Sequence, residues 1–271
     1  MQFATLPVEL LYDIQLYAAS EVLPLTCRRL HDVFESASPT LRADYLIARY
    51  LARPSSRSWP SIITYVLRFP LCTPAVLAVL FERPSFPHRP PPHTDAGTGA
   101  GADPPAHGVR HADRLRPDLP KRLFRRLSPS GAEALPLLRF LYGGAIAHLR
   151  ASPPDADSHD GYPLARAAFA AAVPLVRFLL DHGASPRRRN ALAVRLAIKR
   201  RDLALVRLLV EPPEAPPHER RTGKRRKISD RVQVNSDMLR LAVTCGARDI
   251  AEYLVREKGC LPDLKTLKLL R

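Results

Sequence analysis

Leu175-Val176-Arg177-Phe178-Leu179-Leu180-Asp181-His182-Gly183-Ala184-Ser185-Pro186 is the stretch whose reading decides the fold. Its apolar residues fall at helical spacing, and Arg177 faces outward. Gly183 stands where a helix would end in a left-handed cap, a conformation glycine adopts without steric cost. The opening phrase recurs as Leu137-Leu138-Arg139-Phe140-Leu141, as Leu205-Val206-Arg207-Leu208-Leu209 and, more loosely, as Ile250-Ala251-Glu252-Tyr253-Leu254. A weaker copy is Val76-Leu77-Ala78-Val79-Leu80. The four stronger copies start at 137, 175, 205 and 250, giving spacings of 38, 30 and 45 residues. A helix this short does not persist alone in water, so it must bury its apolar stripe against a neighbour. Small-residue helices are expected to supply that neighbour at Leu164–Ala172, Ala191–Lys199 and Met238–Thr244, because alanine permits close approach. The expected architecture is therefore all-α, a stack of helix pairs in which each pair covers the next.

The second copy carries a family resemblance. Asp160-Gly161-Tyr162-Pro163-Leu164, the alanine pair Ala167-Ala168 and the ending Leu179-Leu180-Asp181-His182-Gly183-Ala184-Ser185-Pro186 resemble the D-G-x-T-P-L turn, first helix and L-L-x-x-G-A-x-P ending of ankyrin repeats. The ending returns at Glu257-Lys258-Gly259-Cys260. The repeats are degenerate: Ala165 stands where the family has a histidine, the third copy has no glycine ending, and the first has only Tyr142-Gly143-Gly144-Ala145. The resemblance extends over Leu119–Leu270 and implies a helix-pair solenoid that binds proteins, its loops projecting as fingers along a concave face. An unrelated all-helical domain with Leu-rich helices is the competing reading.

The N-terminal stretch differs. Pro7 suits the first turn of a helix, Glu9 complements its dipole, and Leu10, Leu11, Ile14, Tyr17 and Ala18 are expected to form one apolar face. A second helix is expected from Leu23, with Cys27, Leu30 and Phe34 on one side, and a third over Leu41–Leu51. Leu6-Pro7-x-Glu9-Leu10-Leu11-x-x-Ile14 and Cys27-Arg28-Arg29-Leu30 resemble an F-box, a small three-helix segment. The resemblance implies that Leu6, Pro7, Leu10, Leu11 and Ile14 form a docking face for the Skp1 subunit of a cullin-RING ubiquitin ligase. The alternative makes these helices a cap on the repeat stack. The chain is accordingly expected to divide into 1–52, F-box-like; 53–83, a divergent helix pair broken at Pro70 and Pro74, a candidate first repeat; 84–117, a disordered insert rich in Pro, Gly and His with no apolar periodicity; and 118–271, ankyrin-like repeats with a basic loop insertion at 211–232.

Charge narrows the partner. The net charge is +16, and residues 187–231 contribute fifteen Lys or Arg against five Asp or Glu, a net of +10. Arg187, Arg188 and Arg189 follow the second repeat, and Lys199, Arg200 and Arg201 occupy the next inter-helix turn. Together they are expected to form a basic strip suited to an acidic protein. Nucleic acid is the third functional reading, disfavoured because no aromatic residues interleave for base stacking. Lys224-Arg225-Arg226-Lys227 resembles a monopartite nuclear localisation signal read by importin, and Ser229, three residues after Arg226, suits a basophilic kinase.

Other chemistry finds few residues. No GxSxG, HExxH or phosphate-loop motif is present, so no catalytic role is expected. Gly97-Thr98-Gly99-Ala100-Gly101 follows no strand. His107 and His111 have helical zinc-ligand spacing but lie beside Gly108 without a nearby cysteine, and His31 and His182 read as solvated; no metal or cofactor is expected. Cys27, Cys72, Cys245 and Cys260 form no CxxC pair and read as small apolar residues of a reducing compartment. With no secretory pattern and no apolar run long enough to cross a bilayer, an intracellular, soluble protein of the nucleus or cytoplasm is expected, acting as a substrate-recruiting adaptor or a plain ankyrin-repeat adaptor.

Overall fold

The computed structural model describes residues 5–52, 59–83, 116–143, 153–212 and 230–269. Regular structure among these is helical, apart from one isolated bridge between Asp118 and Asp155. The chain forms two compact units: residues 1–120 with 136–155, and residues 121–135 with 156–271. This division differs from that expected from composition. It joins residues 1–52 to the two helices that follow, and it gives the first copy of the recurring phrase to the first unit.

In the first unit, α1 (Val8–Ala18) starts after Pro7, which is the N-cap rather than part of the first turn. A 3-10 turn (Leu23–Leu25) and α2 (Arg28–Glu35) replace the single helix expected from Leu23. The extended backbone of Cys27 (φ −155°, ψ 159°) breaks it there, while Pro24 sits in the first turn of the 3-10 segment, where its missing N–H costs no hydrogen bond. α3 (Pro39–Leu51) begins where the Ser38 side chain accepts the Leu41 N–H and Pro39 presets the first turn. α4 (Trp59–Val66) and α5 (Pro74–Glu82) follow as separate helices that each pack on α3, with Thr73 capping α5 through the Val76 N–H. α3 packs on α1, α4 and α5. Leu11, Leu46, Ile62, Ile63, Leu67, Leu77 and Leu80 are fully buried. α6 (Leu135–Tyr142), which carries the first copy, belongs to this unit except for Leu135, and its Phe140 ring stacks on Phe81 at 6.2 Å.

The second unit repeats one construction. α7 (Ser158–Phe169) pairs with α8 (Val173–Asp181), α9 (Arg188–Lys199) with α10 (Leu203–Val210), and α11 (Ser236–Thr244) with α12 (Arg248–Glu252). α7 packs on α9, α9 on α11, and α11 on α13 (Leu264–Leu269), the small-residue helices forming one layer. Each pair folds back through the same turn. Ala171, Arg201 and Gly246 have φ of 54°, 59° and 68°. The following N–H of Ala172, Asp202 and Ala247 bonds five residues back to Ala167, Ala197 and Ala242, at 3.0, 3.2 and 2.9 Å. The left-handed residue's own N–H bonds three back, to Ala168, Ile198 and Val243. This is a Schellman motif, and it recurs at intervals of 30 and 45 residues, the spacing of the last three copies of the phrase.

Two of the three outer segments end in a left-handed glycine, Gly183 at φ 89° and Gly259 at φ 65°, whereas α10 ends at the extended Glu211. Gly259 comes one residue late relative to the phrase, and a π turn over Tyr253–Glu257 takes up that residue. The Ala184 N–H bonds Leu179, five back, whereas the Cys260 N–H bonds Leu254, six back. None of the four cysteines is in a disulfide; Cys72 and Cys260 are buried, Cys27 and Cys245 half-buried.

A left-handed turn costs an L-residue about 1 kcal/mol that glycine escapes. Ala171→Gly is expected to stabilise the second unit by about 0.5 kcal/mol, net of glycine's greater entropy when unfolded. Gly246→Ala, where the nearest atom to a new Cβ is the Arg201 guanidinium at 3.6 Å, should cost about 1 kcal/mol through its backbone alone. Urea midpoints of the two variants, which should move in opposite directions, provide the measurement.

Candidate functional site: a cleft on the repeat stack

Each small-residue helix of the first two pairs is entered through a second unusual turn. His159, Asp160 and Gly161 all have positive φ, and so do Arg189, Asn190 and Ala191, thirty residues on. Gly161 is required by proximity as well as by conformation, since a Cβ there would lie 2.6 Å from the Arg188 Cβ. The following arginines tie one turn to the next. Arg188 Nε donates to Asp157 Oδ2 at 3.0 Å, and Arg189 Nε donates to Asp160 Oδ2 at 3.1 Å and through its NH2 to the His159 carbonyl at 3.1 Å. The largely buried Asp157 carboxylate also accepts the Ser185 N–H at 2.7 Å. Arg187 points the other way, with Nε 2.6 Å from the Arg231 carbonyl oxygen.

Between the entrances to α9 and α11 lies a cleft of about 520 Å³, lined by Arg187, Asn190, Ala191, Arg195, Val232, Gln233, Asn235, Asp237 and Met238. Val232, Met238 and Ala191 are buried and form an apolar floor, while the polar side chains are exposed. Asn235 caps α11 through its Oδ1 and the Met238 N–H, at 3.0 Å. Asp237 pairs with Arg240 at 2.6 Å. Arg195 makes no ion pair or hydrogen bond among the described residues.

The expected basic strip is thus rearranged. Arg187, Arg188 and Arg189 lie at the start of α9, whereas Lys199, Arg200 and Arg201 lie at its end, about 15 Å away along a helix of this length. They do not form one strip. Arg200 donates to the Phe169 carbonyl at 2.9 Å, Arg201 is the left-handed turn residue, and Lys199 is exposed. Arg195, a full turn into α9, is the cation open to a ligand in the cleft. Its spacing from Arg240, like that of Asn190 from Asn235, is 45 residues, the interval of the last two phrase copies. Aligning the chain on that interval would have brought these pairs out.

The expected docking face also divides. Leu11 is fully buried with Leu30 and Phe34, and Leu6 packs on that cluster. Ile14 is half-buried, while Pro7 and Leu10 are exposed. Tyr17, expected on the apolar face, is 91% exposed. Gln15 turns inward instead, because its amide donates to the Ser20 carbonyl at 2.9 Å where α1 ends. His31, Asp32 and Glu35 form an exposed cluster on α2, with the His31 Nδ1 3.6 and 3.4 Å from the two carboxylates. Lys224, Arg225, Arg226, Lys227 and Ser229 lie outside the described residues, as do His107 and His111.

The insertion that contains residues 224–229 leaves and rejoins the second unit at one neck. The Arg231 N–H bonds the Val210 carbonyl at 2.8 Å, Lys258 pairs with Asp230 at 2.8 Å, and the Tyr253 hydroxyl donates to Glu211 at 3.1 Å. Burial, together with the Glu211 carboxylate beside it, pushes the Tyr253 hydroxyl far above the usual tyrosine range.

No family model, curated protein or solved structure matches this chain. No helix among the described residues is long and apolar enough to cross a membrane.

Asp157 holds a backbone N–H and a guanidinium at once. Asp157→Ala should cost about 2 kcal/mol, since both donors lose a poorly solvated acceptor. Arg188→Ala, which removes a half-exposed side chain and leaves Asp157 bonded to Ser185, should cost under about 1 kcal/mol. Equal losses in thermal or urea unfolding would show that the Asp157–Arg188 pair, and not the carboxylate itself, holds the two turns together.

Proposed function

We propose that this chain is a non-catalytic adaptor that holds two proteins together, through an ankyrin-like repeat stack in its second unit and an F-box-like head in its first. The observation that carries this reading is the recurrence of one helix-turn-helix construction, down to individual backbone hydrogen bonds, at the spacing of the sequence phrase. A layered stack of this kind offers an extended side face built from turns and helix starts, which suits binding of a protein chain. The function is proximity: two ligands held on one molecule meet at a raised effective concentration.

For the head, Pro7 and Leu10 are the residues of the F-box-like motif that are open to a partner, with Val8, Val22 and Leu25 also exposed in the same unit. Leu6 and Leu11 serve by packing the helices that present them. The ligand proposed is Skp1, and the result a substrate-recruiting component of a cullin-RING ubiquitin ligase. The full chain should retain Skp1 in a pull-down, and Leu10→Asp should abolish retention without changing the melting temperature. Absence of capture alongside a working F-box control would leave the plain adaptor reading, in which the head has a different task.

The basic run Lys224–Lys227 is proposed to direct nuclear import. Replacing all four residues with alanine should move a fluorescent fusion from nucleus to cytoplasm; an unchanged distribution removes the import role.

A further inference from the structure

We infer that the cleft between α9 and α11 takes an extended acidic peptide, its main chain held by side-chain amides and one of its carboxylates by Arg195. The inference rests on the adaptor reading and names the ligand class of the stack.

The chemistry of the lining points to a peptide. Asn190 and Gln233 are exposed, and their amides make no hydrogen bond among the described residues. Asn235 commits its carbonyl to the Met238 N–H, which leaves its NH2 to donate outward. An amide offers a donor and an acceptor side by side, the complement of a peptide unit. Buried Ala191, Val232 and Met238 give such a chain an apolar floor.

Spacing supports the extended form. Asn190 and Asn235 occupy equivalent positions, 45 residues apart, at the starts of two helices that pack on each other. Packed helices lie about 8–10 Å apart, and an extended chain rises about 3.3 Å per residue. A peptide crossing the stack therefore meets the two asparagines about three residues apart.

Charge selects an acidic ligand. Arg188 and Arg189 are neutralised by Asp157 and Asp160, and Arg240, the counterpart of Arg195 in the next pair, is neutralised by Asp237 and Asp263. Arg195 has no such partner among the described residues, so its charge is available to a carboxylate, for which a guanidinium offers a two-pronged fit. Arg187, also on the lining, adds a second positive charge while its Nε holds the Arg231 carbonyl. Nucleic acid is disfavoured because no aromatic side chain lines the cleft for base stacking.

A random octapeptide phage library selected on the full chain tests this. Selection should enrich Asp or Glu at one position, and the same selection on Arg195→Glu should replace them with Lys or Arg there. In fluorescence polarisation, Arg195→Ala should weaken the selected peptide about tenfold, about what loss of one charge-assisted contact implies. Asn190→Ala should weaken it several-fold without altering the acidic preference. Arg195 is exposed, and circular dichroism melts should confirm that its variants fold. Peptides selected without acidic preference, or a preference that survives Arg195→Glu, overturn the inference while leaving the adaptor reading intact. Selection of no peptide at all overturns the inference and the stack's role as a peptide-binding surface, whereas Skp1 capture separately reads the head. A fifteen-nucleotide thymidylate that binds more tightly than the best peptide also overturns it.

Discussion

One residue per helix pair must adopt a left-handed conformation, and the second unit depends on it. Helices of 8 to 12 residues are marginal in isolation, so each must be returned onto its partner within a turn. The Schellman turn does this with one left-handed residue and two hydrogen bonds that satisfy the last carbonyls of the inner helix. Ala167, Ala197 and Ala242 supply the accepting carbonyls, and all three are fully buried, so the small side chain and the turn belong to one solution. Glycine takes the left-handed place only once, at Gly246. Ala171 and Arg201 hold it against their own preference because the packed pairs on either side fix where the chain must go. The helix pairs thus impose the turn, and the turn residue does little to impose the pairs.

That reversal explains what was readable in the chain. The apolar phrase and its spacing report burial, which is periodic and strong, so the pairs α7–α8, α9–α10 and α11–α12 were legible. Ser38-Pro39 and Thr73-Pro74 likewise mark helix starts through a side-chain cap and a preset backbone angle. The late Gly259 was legible as a one-residue offset, but its consequence, a π turn inside the outer helix, depends on the tertiary demand that Leu254 and Cys260 both reach the core. The inward face of α1 was misread for a similar reason. Gln15 looks like a surface residue until the chain's exit at Ser20 gives its amide a partner, and only then does Tyr17 turn to solvent.

Charge was legible as a sum and not as a surface. Counting fifteen cations between residues 187 and 231 located the excess correctly, yet it treated Arg187, Arg188 and Arg189 as a unit facing outward. In the fold they face three different acceptors, the Arg231 carbonyl, Asp157 and Asp160, from just before and within the left-handed turn at residues 189–191. Five N–H donors fanned around a planar guanidinium, carried on a flexible stem, make arginine the residue able to bridge such irregular turns. A cation recruited to hold backbone is not lost to the electrostatic field, but its directional bonds are spent. Recognition of a ligand then falls to a residue such as Arg195, which sits on a regular helix and has no irregular turn to hold.

The insertion after α10 shows how little the stack constrains what lies between its pairs. Val210 and Arg231 are joined by a backbone hydrogen bond, so the segment between them begins and ends at one place. Glu211 and Asp230, at its two ends, are held by Tyr253 and Lys258 of the next pair, and the register of Asn190 with Asn235 and of Arg195 with Arg240 carries across it. The entropic cost of closing such a loop grows only with the logarithm of its length. With the two ends joined at the neck, the length of the segment between them enters the stability of the pairs only through this closure term.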